Sequence, residues 1–319
     1  MSKTLEQHTA YSKDLILFAK ENWYAFNAFK KKAEFIKPFE YQIETLKKLH
    51  EQPFSIIAKT RQMHISSMMS LYMAWYAIFH PNKTIVIFGN TLSGSIHMLE
   101  HVRWILQMYS VNDEKDGFVK NTYFIWEDEF VKNNKKEIAL RNGSRIIAAA
   151  PSKNAGRGER IDLLYIDEAA FMKDLLSFYM GLAPCVYEKD GKIIISSSPK
   201  ENSTFNDIYL KNKESSIFLH WIMHPEYSKE STQTEDGKVT SPWYEEACKM
   251  FGHDKKRIKE ELDCTIENSE SIHTVNTKTK TISIRISEVV YNQLNELHGA
   301  TSDYIRKLIE DDLKKNNGK

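Results

Sequence analysis

The chain has 319 residues, 41% hydrophobic and 27% charged, an ordinary globular mixture long enough for two domains at roughly 150 residues each. With 44 basic against 43 acidic residues it is no polycation, so any contact with nucleic acid must come from local patches. Its longest nearly apolar stretch, residues 68–79, falls short of the about 20 residues a bilayer requires, and Cys185, Cys248 and Cys264 have neither zinc nor disulfide spacing. The first residues lack the basic start and apolar core of a signal peptide. The expectation is a soluble protein of a reducing cytoplasm, with no membrane partner.

Residues 1–38 read as a helical segment with a connecting stretch that packs on the main domain. Its aromatics Trp23, Tyr24, Phe26 and Phe29 precede Lys30, Lys31 and Lys32, an amphipathic cap with a basic end. From residue 39 the pattern changes. Residues 41–49 read as helix, and the apolar run 54–58 as a buried parallel strand. A helix over 66–79 is broken by His80-Pro81-Asn82, and strand 84–88 leads to a second long helix at 93–108. Residues 137–140 and 144–149 flank Asn142-Gly143, the signature of a hairpin. Two further apolar strands, 161–166 and 192–197, enclose a helix at 175–182. Strands alternating with helices predict an α/β fold, a mainly parallel sheet flanked by helices with right-handed crossovers. That domain is expected to run over 39–268. A polar, aperiodic linker follows at 269–279, then a compact strand-helix-helix unit at 280–316.

Three pieces carry chemistry. Lys59-Thr60-Arg61-Gln62-Met63-His64-Ile65-Ser66-Ser67 is a polar turn between an apolar strand and a helix. Such a turn offers free N–H groups and the positive end of the helix dipole to an anion. The usual phosphate-loop pattern puts Gly-Lys-Ser/Thr near its end; here His64-Ile65-Ser66 stands there. The second piece is residues 161–168, an apolar strand ending in Asp167-Glu168, the Walker B arrangement. Asp167 is placed to hold Mg²⁺, with the Ser66 hydroxyl as its partner ligand, and Glu168 to orient or deprotonate an attacking water. The third is the strand end at Ser196-Ser197-Ser198-Pro199, where hydroxyls beside a nucleotide can sense the γ-phosphate.

Taken in order, these segments resemble the ATPase domain of the large terminase subunit of tailed bacteriophages, over residues 36–270. The likeness rests on Tyr41-Gln42, similar to that family's adenine-side motif, on Thr60-Arg61-Gln62, Asn142-Gly143-Ser144, Arg157-Gly158, Tyr165-Ile166-Asp167-Glu168-Ala169-Ala170-Phe171 and Ser197-Ser198-Pro199, and on a closing helix over 256–262. The resemblance implies a P-loop NTPase of the RecA-like, ASCE type that hydrolyses ATP with Mg²⁺ to translocate double-stranded DNA. It implies nucleotide contacts from Tyr41, Gln42 and residues 59–67, and coupling through Ser197, Ser198 and Pro199. Lys59, at the start of the motif, stands where some terminases carry the phosphate-loop lysine. Arg61 supplies a second cation in cis, and Arg157, on a glycine-bracketed loop, is a candidate arginine finger for a neighbour in a homo-oligomeric ring. A portal, a small terminase subunit and the host cytoplasm are likewise implied. No second set of metal-spaced carboxylates follows residue 270, so the expectation is a chain without the family's nuclease.

In the last segment, Thr281, Ser283 and Arg285 alternate with Ile282, Ile284 and Ile286. Ser287 caps a helix carrying Val290, Leu294 and Leu297, and a second helix carries Tyr304, Ile305, Leu308 and Leu313. The order resembles the ribbon-helix-helix repressors. It implies a dimer, because forty residues bury too little core alone, and a ribbon reading the major groove through Thr281, Ser283 and Arg285. The expected function is an ATP-hydrolysing packaging motor, with a non-hydrolysing, terminase-derived DNA-binding or regulatory protein as the alternative. Asp167-Glu168 and Ser197-Ser198-Pro199 favour the first, Ile65 and the expected absence of the nuclease the second.

Overall fold

A computed structural model describes residues 3–27, 32–109, 111–115, 118–124, 129–152, 160–187, 191–234 and 237–266. Arg157, the linker and the whole strand-helix-helix unit with Thr281, Ser283 and Arg285 lie outside the described residues.

The chain opens with helices α1 (Leu5–Lys13) and α2 (Leu15–Asn22). Thr4 and Gln7 form a reciprocal capping box at the start of α1, and the Asp14 side chain accepts the Leu17 N–H at the start of α2. The connecting stretch is not featureless: β1 (Tyr24–Asn27) and β2 (Lys32–Phe35) pair antiparallel. There follow α3 (Glu40–Glu51), β3 (Phe54–Lys59), α4 (Ile65–Phe79), β4 (Thr84–Phe88) and α5 (Leu92–Met108). Next come the antiparallel pair β5 (Val111–Lys115) and β6 (Phe118–Phe124), then β7 (Phe130–Asn133), β8 (Glu137–Leu140) and β9 (Arg145–Ala149). The remainder comprises β10 (Leu163–Asp167), α6 (Leu175–Tyr187), β11 (Lys192–Ser197), α7 (Thr204–Lys211), β12 (Ser216–Leu219), the short pair β13 (Thr232–Gln233) and β14 (Val239–Thr240), α8 (Pro242–Met250) and α9 (Lys255–Glu261).

Eight strands form one sheet in the order β12-β3-β11-β10-β4-β9-β8-β7. The six from β12 to β9 are parallel, and β8 and β7 extend that edge antiparallel. The predicted hairpin is the β8–β9 pair. Gly143 turns it at φ +85°, and a Cβ there would lie 2.2 Å from the Asn82 Oδ1. Only glycine fits both the angle and the space.

Every residue of β3 and β10 is buried, as a strand covered on both faces requires. Alternate side chains feed two cores. Ile57, Ile85, Ile87, Leu163, Tyr165 and Ile194 face α4, α5 and the N-terminal helices. Ile56, Val86, Phe88, Leu164, Ile166, Ile193 and Ile195 face α6 and α7. The apolar run at 68–79 is thus a core helix: residues 68–78 of α4 are all buried. Among the described residues no helix is long and apolar enough to cross a membrane. The N-terminal helices join the same core through Tyr11, Phe18 and Trp23, and the Trp75 indole donates to the Tyr11 carbonyl at 2.8 Å.

The consequence for the site is positional. Strand β11 is inserted between β3 and β10, the RecA-like, ASCE order, so Lys59, Ser197 and Asp167 end three neighbouring parallel strands. The crevice beyond the carboxyl ends of such strands is where open α/β sheets bind ligands.

Candidate active site

The turn from β3 into α4 is tied down at its start. Thr60 is fully buried; its N–H donates to the Leu219 carbonyl at 2.9 Å and its hydroxyl to the Leu262 carbonyl at 2.8 Å, while accepting the Trp221 N–H at 3.1 Å. The Arg61 N–H donates to the Glu261 carbonyl at 2.9 Å. Beyond Arg61 the bonding changes. The N–H groups of residues 62–67 make no hydrogen bond among the described residues. Gln62 and His64 hold left-handed conformations, φ 66° and 56°, and α4 starts at Ile65 with no side-chain cap. Unpaired amides at a helix start can receive an anion. Such amides therefore begin at Gln62, not at Thr60.

Several predicted contacts are backbone contacts at most. Met63 and Ile65 are each 1% exposed, with side chains in the core. The Ser67 hydroxyl accepts the Trp23 indole N–H at 3.0 Å. Gln42 is buried, and its Oε1 accepts the Phe39 N–H at 3.0 Å, closing the N-terminus of α3. The buried Tyr41 hydroxyl donates to the Met63 carbonyl at 3.0 Å. Arg61 reaches outward: its side chain is exposed and pairs with Glu261 at 3.5 Å.

Four side chains do converge. The Ser66 hydroxyl donates to Asp167 Oδ2 at 2.9 Å, joining the first turn of α4 to the tip of β10. Asp167 Oδ1 accepts the Ser196 hydroxyl at 2.7 Å and the Glu168 N–H at 3.0 Å. The Tyr165 hydroxyl lies 2.8 Å from Ser196 Oγ, extending the network into the sheet. Lys59, also buried, places its Nζ 3.0 Å from Glu168 Oε1. Burial opposes the charge on Lys59, but Glu168 and Asp167 outweigh it, so its pKa is raised and the ammonium is kept. Glu168 has φ 53° and ψ 41°, a conformation that turns the chain sharply after the strand. The Ser197 hydroxyl accepts the Ala170 N–H at 3.1 Å, tying the end of β11 to the turn that follows Glu168. Ser198 and Pro199 are buried beside it.

The donor set suits a small hard cation. Among the described residues no group of three or more His, Cys, Asp or Glu side chains gathers in metal-binding fashion. One carboxylate and one hydroxyl, Asp167 and Ser66, meet at 2.9 Å. Mg²⁺ is commonly held by one or two protein oxygens, with water and phosphate oxygens completing its shell, so these residues fit it.

Tyr227 and Glu261 are the site residues that the sequence motifs miss. Ser196, the first of the strand-end hydroxyls, is the one that reaches Asp167. Tyr227 donates its hydroxyl to the Gln62 carbonyl at 3.0 Å from far along the chain, with no local signal.

The family model described as terminase large subunit, T4likevirus-type, N-terminal, matches residues 57–247, more than half of the chain. Tripartite terminase subunit 3 of Equine herpesvirus 2 (strain 86/87) is 30% identical over 156 residues, which are 45% of this chain and 22% of that protein. The HK97 bacteriophage large terminase is similar in structure with a TM-score of 0.55 at 9% identity, covering 80% of this chain and 55% of that one. The large terminase from the thermophilic bacteriophage D6E, solved in complex with ADP, gives a TM-score of 0.50 at 14% identity over 72% and 53%. At those identities the structural likeness shows the fold. The chain spans about half the length of the two phage proteins and 22% of the herpesvirus relative.

Proposed function

Because this chain belongs to the terminase large subunits of the T4likevirus type, through their N-terminal domain, we propose that it is an ATP-hydrolysing motor subunit for packaging double-stranded viral DNA. The observation that carries the reading is the 2.9 Å contact between Ser66 at the start of α4 and Asp167 at the tip of β10. It brings a phosphate cradle and a Walker B carboxylate into one crevice.

In this reading the amides of residues 62–67 and the Lys59 ammonium receive the β- and γ-phosphates, as fixed dipoles and a point charge. Asp167 and Ser66 hold Mg²⁺, which when bound neutralises charge developing on the phosphates. Glu168 orients a water and accepts its proton. Glu168 is paired to Lys59. Phosphate oxygens compete for the same ammonium, so their arrival frees the carboxylate for the water. Ser197, Ser198 and Pro199 pass the state of the site to the rest of the domain, since Ser197 already holds the turn after Glu168. Arg61, outward-facing, serves the site only by exchanging Glu261 for a phosphate oxygen. Arg157 is proposed as the finger completing a neighbour's site in a homo-oligomeric ring. Portal and small-subunit partners, and work in the host cytoplasm, belong to the same proposal.

The second reading, a non-hydrolysing regulator, is favoured by Ile65 at the usual lysine position. Calorimetric titration with ATP-γ-S, with Mg²⁺ and with EDTA, tests the nucleotide site shared by the two readings. The expected result is one site per chain, weakened by EDTA. Failure to bind under either condition would remove the nucleotide from both readings.

The segment 280–316 is proposed to dimerise and contact duplex DNA through Thr281, Ser283 and Arg285. Arg285→Ala in the full chain is expected to lose about 1–3 kcal/mol of discrimination between DNA sequences if the arginine is bidentate to guanine. DNA titrations at two salt concentrations check this. Uniform weakening with a flatter salt dependence would make Arg285 a phosphate contact instead.

A further inference from the structure

The cradle amides are aimed by groups outside the nucleotide motifs. In a trans peptide the carbonyl of one residue and the N–H of the next point in opposite directions. No cis peptide bond occurs among the described residues. Whatever holds the Gln62 carbonyl therefore aims the Met63 N–H the other way, and whatever holds the Met63 carbonyl aims that of His64. Two tyrosine hydroxyls do this. Tyr41 donates to the Met63 carbonyl and Tyr227 to the Gln62 carbonyl, each at 3.0 Å. Both bonds fall where Gln62 and His64 hold left-handed conformations, which residues other than glycine rarely keep unaided.

Tyr227 has little freedom to do anything else. Its ring is sandwiched between His224, with centroids 3.7 Å apart and planes within 10°, and Trp243, at 3.9 Å and 5°. Its N–H donates to the His224 carbonyl at 3.0 Å, and its carbonyl accepts the Ser241 hydroxyl at 2.7 Å. His224 is itself buried, and its Nδ1 accepts the Glu226 N–H at 3.2 Å. Trp243 is anchored in α8, where the Ser241 hydroxyl accepts the Tyr244 N–H at 3.1 Å. The phenol is thus fixed at both ends, by a ring stack and by its backbone.

We infer that Tyr227 is a positioning residue for phosphate binding: its clamped hydroxyl pins the Gln62 carbonyl so that the Met63 N–H is presented to an oxyanion. The inference rests on the nucleotide reading above, which supplies the oxyanion. It extends the site to the segment between β12 and α8, which no phosphate-loop or Walker B motif covers.

Tyr227→Phe removes one hydroxyl and keeps the stack, so the fold is preserved. Wild-type chain is first titrated with ATP-γ-S and Mg²⁺; absence of binding at that step is a failure of the nucleotide reading and takes this inference with it. Given wild-type binding, the variant is expected to bind about three- to tenfold more weakly, the range one neutral hydrogen bond spans. Inorganic pyrophosphate, which has no base or sugar, is expected to weaken by the same factor. In turnover assays KM should rise while kcat holds, and the thermal midpoint should stay that of wild type. Unchanged affinity for both ligands would overturn the inference. So would a lowered thermal midpoint with unchanged affinity, which would make Tyr227 part of the scaffold only.

Discussion

Glu168→Gln is expected to lower steady-state ATP turnover by about 10²–10⁴-fold, the usual cost of losing a positioned base, while nucleotide binding is kept. Asp167 is assigned with Ser66 to Mg²⁺, and its Oδ1 already accepts the Ser196 hydroxyl and the Glu168 N–H. That leaves Glu168 as the carboxylate beside it with an oxygen to spare for water. Its side chain is partly exposed, 37%, and among the described residues its ion pair is with Lys59. Glutamine keeps the volume and removes both the basicity and the charge that holds Lys59. Affinity should therefore stay level or tighten, because phosphate no longer competes with a carboxylate for the ammonium. Turnover and titration on the same preparation check this. Wild-type turnover in the variant would remove Glu168 from the chemistry.

A second contrast separates Lys59, proposed to stand for the missing phosphate-loop lysine, from Ile65, which occupies that lysine's usual position. Lys59→Ala should weaken nucleotide binding by roughly 10- to 100-fold, since a hydrogen bond to a charged group is worth about 1.5–3 kcal/mol. The thermal midpoint should change little, because Glu168, partly exposed, can be solvated once its partner is gone. Ile65→Ala should do the reverse. Ile65 is 1% exposed, so its truncation leaves a cavity costing about 2–5 kcal/mol of stability. Its backbone N–H, the part that faces an anion, is unchanged. Nucleotide titration and thermal unfolding on both variants give four numbers. Equal, small losses of affinity in both would mean that the cradle works through amides alone.

The central sheet was legible because its strands are continuous apolar runs and its helices carry long apolar stretches. Residues 54–58, 84–88 and 192–197 lie within or coincide with the observed β3, β4 and β11. Asn142-Gly143 marked its turn through the one backbone angle that demands glycine. Asp167 and Ser66 were read from the same kind of pattern, a strand tip and a helix start, and in the folded chain they meet at 2.9 Å. Strands β1, β2 and β7 were not legible, being four residues each, and three of the four residues of β7 are exposed.

At the site the losses have one physical cause. Thr60 looked like a phosphate contact, but its polar atoms are spent on Leu219, Trp221 and Leu262, more than 150 residues away in sequence. Ser67 looked the same and serves the Trp23 indole. Tyr41 and Gln42 were read as nucleotide contacts; in the folded chain the first holds the loop and the second caps a helix. Local patterns report which residues offer hydrogen bonds. They do not report which offers are already taken by distant parts of the chain, and the clamp of His224 and Trp243 on Tyr227 lies wholly in that second category.

Whether the crevice of Lys59, Ser66, Asp167 and Glu168 cleaves ATP decides between a motor and a regulator. Phosphate release by the purified full chain, followed at steady state with Mg²⁺ in the presence and absence of double-stranded DNA, measures this directly. The expected result is Mg²⁺-dependent release, raised by duplex DNA and lost in Glu168→Gln. Tight nucleotide binding with no release above background, with or without DNA, would contradict the account and leave the chain as a nucleotide-binding regulator.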